Sequence, residues 1–313
     1  MRDKMDKKLW NYVFSILLSA ILLLLLGIFV HLDSNNKVNG KPLGPGVISE
    51  ETKVQEEDVQ DKEIPFLYEI FSKKDEESPL FHKFTKDRRI RIGAKPKVAI
   101  IIDDLGYQQE IAERILNLKF PITVSVLPFL SDSRLVAKMA KEKGMTVLLH
   151  LPMEPHNSNV NPGKGAIFST MNEEEIRNKM LANLLEFPEA DGVNNHMGSK
   201  VTENNEIMRI VLDEIKGRDI FFIDSMTSPD SVGYKLSKEL GIKTAFRSVF
   251  LDNEQDIDYI RNQVSLLKEL AIRNGNAIAI GHPYCNTIDV LNELDILLEA
   301  EGVEIVKLEE LLE

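Results

Sequence analysis

Aspartate and histidine side chains recur along the C-terminal two-thirds of this sequence, each directly after a short apolar run. Asp103 and Asp104 come first, followed by His150, His196 and His282. Taken singly, an aspartate at such a place is often a helix cap, and a lone histidine is often a structural residue. Carboxylate and imidazole are also the groups with which proteins hold zinc and related transition metals. Taken together, these five residues predict a metal site, provided that the fold brings them to one point.

The elements around these residues decide whether they meet. Short apolar runs alternate with helical patterns over about 217 residues, from Lys97 to the C-terminus. The alternation predicts strands at residues 98–103, 122–127, 146–150, 192–195, 220–224, 244–250, 277–281 and 303–306. It predicts helices at residues 108–118, 131–143, 172–186, 203–216, 229–239, 254–274 and 287–300. Short buried strands that alternate with helices are typical of a parallel sheet.

We therefore expect an α/β fold over residues 96–313, built as a distorted or incomplete (β/α) barrel of seven to eight parallel strands. An open, doubly wound sheet is the alternative, but this number of repeating units in this length favours the barrel. Both architectures place functional residues at the carboxyl ends of the strands. The aspartates and histidines lie at those ends.

The composition excludes several classes of protein. The 313-residue chain is 43% hydrophobic and 28% charged, as in an ordinary globular protein. Its net charge of -12 argues against nucleic acid as a partner. The single cysteine, Cys285, excludes a disulfide framework within the chain and a zinc site built from cysteines.

The N-terminal third predicts a membrane anchor and a linker. Residues 9–30 carry no charged side chain and, as a helix, are long enough to cross a hydrocarbon core of about 30 Å. The basic residues before them favour a cytoplasmic N-terminus, with the rest of the chain outside the cytoplasm. A cleaved signal peptide is the alternative, but the apolar run is long and lacks a small-residue cleavage site. We expect residues 1–32 to be a cytoplasmic stub and single-pass anchor in the lipid bilayer, and residues 33–95 a flexible acidic linker.

Four motifs in the C-terminal part form a recognisable set. They are Asp103-Asp104-Leu105-Gly106, His150-Leu-Pro-Met-Glu154-Pro155, Gly192-Val-Asn-Asn-His196-Met-Gly198 and Gly281-His282-Pro283-Tyr284. Together, in this order, they resemble the divergent polysaccharide deacetylase family, a branch of the NodB-like carbohydrate esterases. The resemblance covers residues 97–313 and implies a distorted or incomplete (β/α) barrel, in agreement with the expectation from the residues.

The resemblance also implies a ligand set for a divalent transition metal, with zinc as the expected ion. By the family pattern, Asp104 and His150 are metal ligands. Typical NodB-like enzymes take a second histidine from a His-x-x-x-His motif, but here the matching position is Glu154. The third ligand is therefore either His196, from the next strand, or Glu154.

The same resemblance implies catalytic roles. Asp103 is expected to act as the general base and His282 as the general acid. Either Asp224 or Asp252 is expected to orient an imidazole ring. The residues expected to contact the substrate are Asn195, Asp224, Arg247 and Tyr284.

The resemblance implies a metal-dependent hydrolase that removes acetyl groups from N-acetylated glycans. With the predicted membrane anchor, the expected substrate is a glycan of the cell envelope, such as peptidoglycan. One alternative is a catalytically degenerate, membrane-anchored protein that binds a glycan or a protein partner. The apolar segment at residues 64–71 would then serve assembly at the membrane. Another alternative is metal-dependent hydrolysis of an ester or phosphoester.

Overall fold

The computed structural model describes residues 95–299 and 302–313. The predicted membrane anchor at residues 9–30 and the predicted linker, up to residue 94, lie outside the described residues. Within the described ranges, no helix has both the length and the apolar character needed to cross a membrane.

The described chain forms one parallel sheet with helices in the connections. The strands are β1 (Lys97–Leu105), β2 (Thr123–Val126), β3 (Thr146–Met153), β4 (Gly192–Met197), β5 (Phe221–Asp224), β6 (Thr244–Phe246), β7 (Val249–Phe250), β8 (Asn276–Gly281) and β9 (Glu304–Ile305). The helices are α1 (Gln109–Leu116), α2 (Ser133–Glu142), α3 (Glu173–Glu186), α4 (Asn205–Lys216), α5 (Gly233–Leu240), α6 (Ile257–Asn274), α7 (Cys285–Leu291) and α8 (Leu294–Glu299), followed by a 3-10 turn at Leu308–Leu311.

The sheet order is β6-β5-β4-β3-β2-β1-β8-β7, with β9 paired to β1, and the strand pairs are parallel. The two end strands, β6 and β7, are consecutive in the chain and are separated only by Arg247 and Ser248. The Arg247 backbone N–H donates to Asp224 of β5, whereas the Ser248 N–H donates to Ile278 of β8. The sheet therefore curls until its ends approach each other, which confirms the predicted parallel sheet and the incomplete barrel.

Two predicted elements were wrong in detail. The strand predicted at residues 244–250 is two short strands, because Arg247 and Ser248 lie where the chain changes partners from β5 to β8. The helix predicted at residues 287–300 begins at Cys285 and is divided into α7 and α8. The division follows Asn292, where the Glu293 N–H bonds to the Val290 carbonyl three residues back, in the manner of a 3-10 turn.

Apolar side chains fill both faces of the sheet, which explains why the strands read as unbroken apolar runs. On β1, Ile100 and Ile102 pack outward under the helices, whereas Ala99 and Ile101 pack inside the barrel. Side chains alternate along a strand, so the inner row of β1 continues from Ile101 to Asp103. The inner rows of β3 and β8 continue in the same way, from Leu148 to His150 and from Ile280 to His282. The apolar interior thus ends in a layer of chemically active side chains at the carboxyl mouth.

Candidate metal centre

Two adjacent carboxylates reach the mouth of the barrel because β1 is irregular at its end. The register with β2 shifts between Ile102 and Leu105, and Asp104 has a φ of 59°. In a regular strand Asp103 and Asp104 would point to opposite faces. A bulge redirects a side chain, and such strained backbone clusters at functional sites. Here both carboxylates approach the same imidazole: His150 Nε2 lies 3.6 Å from Asp103 Oδ2 and 3.2 Å from Asp104 Oδ1.

Three donor atoms from three strands converge beside this bulge. Asp104 Oδ1 lies 3.2 Å from His150 Nε2 and 3.0 Å from His196 Nδ1. The two histidine nitrogens lie 3.1 Å apart. The three side chains are only 15%, 2% and 6% exposed, respectively. The sequence prediction that these residues meet is confirmed by their positions.

This arrangement fits a single divalent cation. Among the described residues, none donates a hydrogen bond to Asp104 Oδ1, although the atom is buried. A buried carboxylate oxygen without a donor is costly, and a cation would remove that cost. The mutual distances of 3.0–3.2 Å suit nitrogen and oxygen ligands that each lie about 2.0–2.2 Å from one ion. One carboxylate and two imidazoles are a donor set that suits zinc.

The charges around the three donors are strongly coupled. Burial opposes ionisation of Asp104, but the positive charge of His196 and the adjacent His150 ring outweigh it, so the pKa of Asp104 lies well below its ordinary value. Burial also opposes protonation of His150, but the negative charges of Asp103 and Asp104 raise its pKa. The site therefore concentrates negative charge that requires positive charge at the same point. A divalent cation meets this requirement.

His282 stands on the opposite side of Asp104, held by Asp252. Its Nδ1 lies 2.9 Å from Asp252 Oδ1, and its backbone N–H donates to Asp252 Oδ2 at 2.6 Å. Thr287 also donates to Oδ2, at 2.7 Å. Burial lowers the pKa of His282, but the charge and hydrogen bond of Asp252, with further charge from Asp104, raise it to about 9. Its Nε2 faces Asp104 Oδ2 at 3.8 Å. Of the two aspartates predicted to orient an imidazole, Asp252 occupies that position.

Two predicted site residues lie elsewhere. Glu154 binds Lys200 at 2.8 Å through Oε1 and accepts the Ser169 backbone N–H at 2.6 Å through Oε2, so His196 is the residue that accompanies Asp104 and His150. Asp224 was predicted to contact the substrate, but it is fully buried. Its carboxylate accepts bonds from Ser231, Met226 and Tyr234 at 2.7–2.9 Å. Asp224 thus fixes the turn that leads into α5, and substrate contact is a wrong prediction for a side chain without solvent access.

Comparison with known proteins places the chain in a family. Residues 100–312 match the family model described as divergent polysaccharide deacetylase. The chain belongs to this family. It is 36% identical over 198 residues to the uncharacterized protein YibQ of Escherichia coli strain K12, a match that covers 63% of this chain and 62% of YibQ. An uncharacterized Haemophilus influenzae protein is 33% identical over 198 residues, covering 63% of this chain and 70% of that protein. The matched part of the chain therefore spans less than two-thirds of YibQ.

A solved structure shares the fold. The uncharacterized protein ATU2773 of Agrobacterium tumefaciens C58 superimposes with a TM-score of 0.66 at 22% sequence identity, covering 74% of this chain and 94% of that protein. At this level of identity, the similarity establishes that the two proteins share the same architecture.

In this member of the family, a cavity opens beside the donor atoms. It is lined by Asp103, His150, Val160, Asn195, His196, Met197, Ser199, Ser225, Thr227, Arg247, Phe250, Asn253 and His282. Two predicted substrate contacts, Asn195 and Arg247, are in this lining. The Asn195 amide also bonds Ser225 N at 2.9 Å and Met197 O at 2.8 Å, so it shapes the wall. A third, Tyr284, lies with its ring 5.5 Å from the His282 ring, centroid to centroid.

One residue of the site was missed by the sequence reasoning. Asn194 is not among the predicted site residues, but it is fully buried and its side chain bonds both His150 and Asp103. A signal for it existed. Asn194 lies two residues before His196 on a strand, and residues two apart share a face of a sheet.

Proposed function

We propose that this chain is a metal-dependent hydrolase that removes acetyl groups from N-acetylated glycans of the cell envelope. The observation that carries the proposal is the convergence of Asp104 Oδ1, His150 Nε2 and His196 Nδ1, with Asp103 and His282 on either side of them. Membership of the divergent polysaccharide deacetylase family supports the reaction class and the class of substrate.

Asp104, His150 and His196 would hold the ion, which we expect to be zinc. When bound, zinc lowers the pKa of a water molecule and stabilises negative charge that develops on an acetyl oxygen. The position of Glu154, bound to Lys200 and to the Ser169 backbone, supports His196 as the third ligand.

Asp103 is suited to accept the proton of the attacking water. It is only 3% exposed, but it lines the cavity next to the three donor atoms. The Asn194 amide donates to its Oδ1 at 2.8 Å and fixes the plane of the carboxylate. A general base must be held within hydrogen-bond reach of the proton that it takes, and this bond restricts Asp103 to one orientation.

His282 is suited to protonate the leaving nitrogen. With a pKa of about 9, its ring is an imidazolium at neutral pH. The Nδ1 proton is held by Asp252, so the Nε2 proton is the one that the ring can give away. In the hydrolysis, a C–O bond to water forms and the amide C–N bond breaks. Asp103 takes one proton from the water and His282 gives one to the nitrogen. The products are a free amine on the sugar and acetic acid, which releases its proton to solvent and becomes acetate.

We further propose that residues 9–30 anchor the chain in the cell membrane, with the N-terminus in the cytoplasm and the enzyme domain outside. The uncharged apolar run and the basic residues before it support this placement. A protease added to intact cells or spheroplasts is expected to digest the domain at residues 96–313. Protection of that domain would contradict the placement.

The test of the activity is acetate release by zinc-loaded, full-length protein from chito-oligosaccharides and muropeptides. We expect release by the natural sequence and a loss of at least about 100-fold in Asp103→Asn. Glu154→Gln is the matched control, because it changes a nearby carboxylate that lies outside the donor cluster. Absence of release from all these substrates, together with absence of zinc binding, would refute the proposal.

The binding-protein alternative is separated by mutation in the cell. If His150→Ala and Asp103→Asn both leave the cellular phenotype of the natural protein intact, while deletion of residues 64–71 abolishes it, the chain acts through binding.

A further inference from the structure

Asn194 connects the two halves of the site. Its side chain lies in the inner row of β4, in register with His150 on β3, and is fully buried. Its Oδ1 accepts from Ser125 Oγ at 2.7 Å and faces His150 Nδ1 at 2.9 Å. Its Nδ2 donates to Asp103 Oδ1 at 2.8 Å and to Ser225 Oγ at 3.3 Å. An amide has two donors and two acceptor sites, and all four are used here.

The orientation of this amide is fixed by chemistry. An ionised carboxylate only accepts hydrogen bonds, so the group that faces Asp103 must be the NH₂ group. Exchange of the oxygen and nitrogen positions would set the amide oxygen against the carboxylate oxygen in a buried site, which is strongly unfavourable. The amide oxygen therefore faces His150.

The orientation of the amide in turn fixes the tautomer of His150. Since Asn194 Oδ1 is an acceptor, the His150 Nδ1 that lies 2.9 Å from it must carry the proton. The neutral ring then presents the lone pair of Nε2, the atom that lies 3.2 Å from Asp104 Oδ1 and 3.1 Å from His196 Nδ1. The hydrogen bond at one nitrogen of a histidine decides which nitrogen can bind a metal.

We propose that Asn194 is a positioning residue that couples the general base to the metal centre: one amide orients the Asp103 carboxylate and holds His150 in the tautomer that binds metal. This inference builds on the proposed function and adds a role for Asn194. Ser125 and Ser225 occupy the remaining sites of the amide, but the proposed role depends only on its bonds to Asp103 and His150.

The test uses the full-length protein with ¹⁵N-labelled histidine and three substitutions. Asn194→Leu removes both polar arms at similar volume. Asn194→Asp keeps an acceptor for His150 but removes the donor to Asp103. Ser125→Ala is the matched control, because it deletes a buried hydrogen bond to the same amide and leaves the bonds to His150 and Asp103 in place. If Asn194→Leu does not fold, Asn194→Ala takes its place.

Two measurements are made on each protein. The first is the tautomer of His150 in metal-free protein at alkaline pH, read from ¹⁵N–¹H correlation spectra, with the resonance identified by its loss in His150→Gln. The second is the zinc dissociation constant, from competition with a chromophoric chelator. Neither measurement depends on turnover.

We expect the natural protein, Ser125→Ala and Asn194→Asp to keep the Nδ1–H tautomer. In Asn194→Leu the Nε2–H tautomer is expected to appear and zinc binding to weaken by about 10- to 100-fold. For a folded Asn194→Leu or Asn194→Ala, an unchanged tautomer together with a zinc dissociation constant within about twofold of Ser125→Ala would overturn the inference. If the tautomer shifts in Asn194→Leu but the natural protein releases no acetate, the proposed function is refuted, whereas the role of Asn194 in fixing the His150 tautomer stands.

Discussion

The ion pair between Asp252 and His282 leads to a specific prediction for the pKa of His282. One substitution, Asp252→Asn, tests both the charge and the geometry of the pair. Asp252 is fully buried and holds His282 twice, through the ring Nδ1 at 2.9 Å and through the backbone N–H at 2.6 Å. In Asp252→Asn, the amide keeps one acceptor and replaces the other with an NH₂ group. The substitution removes the negative charge that does most to keep His282 protonated.

The size of the effect follows from the forces on the ring. Burial alone would bring the pKa of His282 below its ordinary value of 6.5, and the surrounding carboxylates, Asp252 first, raise it to about 9. Without the charge of Asp252, we expect the pKa to fall by about two units, to about 7, which corresponds to about 3 kcal/mol. At pH 8 the protonated fraction would then fall from about 90% to about 10%. In Asp252→Asn, the NH₂ group also leaves one of the donors that bond Asp252 without an acceptor, which costs about 1–3 kcal/mol of folding stability.

The assay is an NMR titration of the His282 ring in metal-free, full-length protein. Thr287→Val is the control, because Thr287 donates to the same carboxylate at 2.7 Å and its loss leaves the charge of Asp252 in place. We expect a midpoint near 9 in the natural protein and in the control, and near 7 in Asp252→Asn. A midpoint that moves by less than half a unit in Asp252→Asn would refute this account of the ion pair.

Three further predictions follow from the same structure. His196→Gln is expected to weaken zinc binding by about 10- to 100-fold in chelator competition, and Glu154→Gln by less than threefold; equal losses would restore Glu154 as a ligand. Because folding raises the pKa of His282 from 6.5 to about 9, its stabilising contribution is complete below pH 6.5 and disappears as the pH rises through 9. Urea unfolding of metal-free protein should show this loss, on the order of 3 kcal/mol, and a flat profile would contradict it. Gly192→Ala should cost about 1–3 kcal/mol in the same assay, because its Cβ would lie 2.5 Å from the Phe221 ring; unchanged stability would show that the ring moves aside.

Much of the fold could be predicted from the sequence because local and global signals agree. Asn172 and Glu175 form the capping box that begins α3, where a helix start was expected. The apolar runs gave the strand positions, and parallel strands require that their carboxyl ends share one edge. This rule placed the two aspartates and the three histidines at one edge, but only the distances decided between His196 and Glu154 as the third member of the cluster.

The remaining features depend on tertiary contacts that leave little trace in a single sequence. The bulge at Asp104 gives a non-glycine residue a positive φ, and the sequence does not show that this turns its carboxylate toward His150. An aspartate after a strand looks the same whether it orients an imidazole, as Asp252 does, or fixes a turn, as Asp224 does. Asn194 and Asn195 are adjacent residues of the same type, and their roles differ because their side chains lie on different faces of β4. Asn194 bonds Asp103 and His150, whereas Asn195 bonds the Ser225 backbone and forms part of the cavity wall.

The central claim is that one cation binds Asp104, His150 and His196. The most direct measurement is anomalous diffraction at the zinc edge from crystals of the zinc-loaded protein. The account predicts a single strong peak about 2.0–2.2 Å from Asp104 Oδ1, His150 Nε2 and His196 Nδ1. A peak on other side chains, or no peak in crystals of a protein that retains acetate-releasing activity, would contradict it.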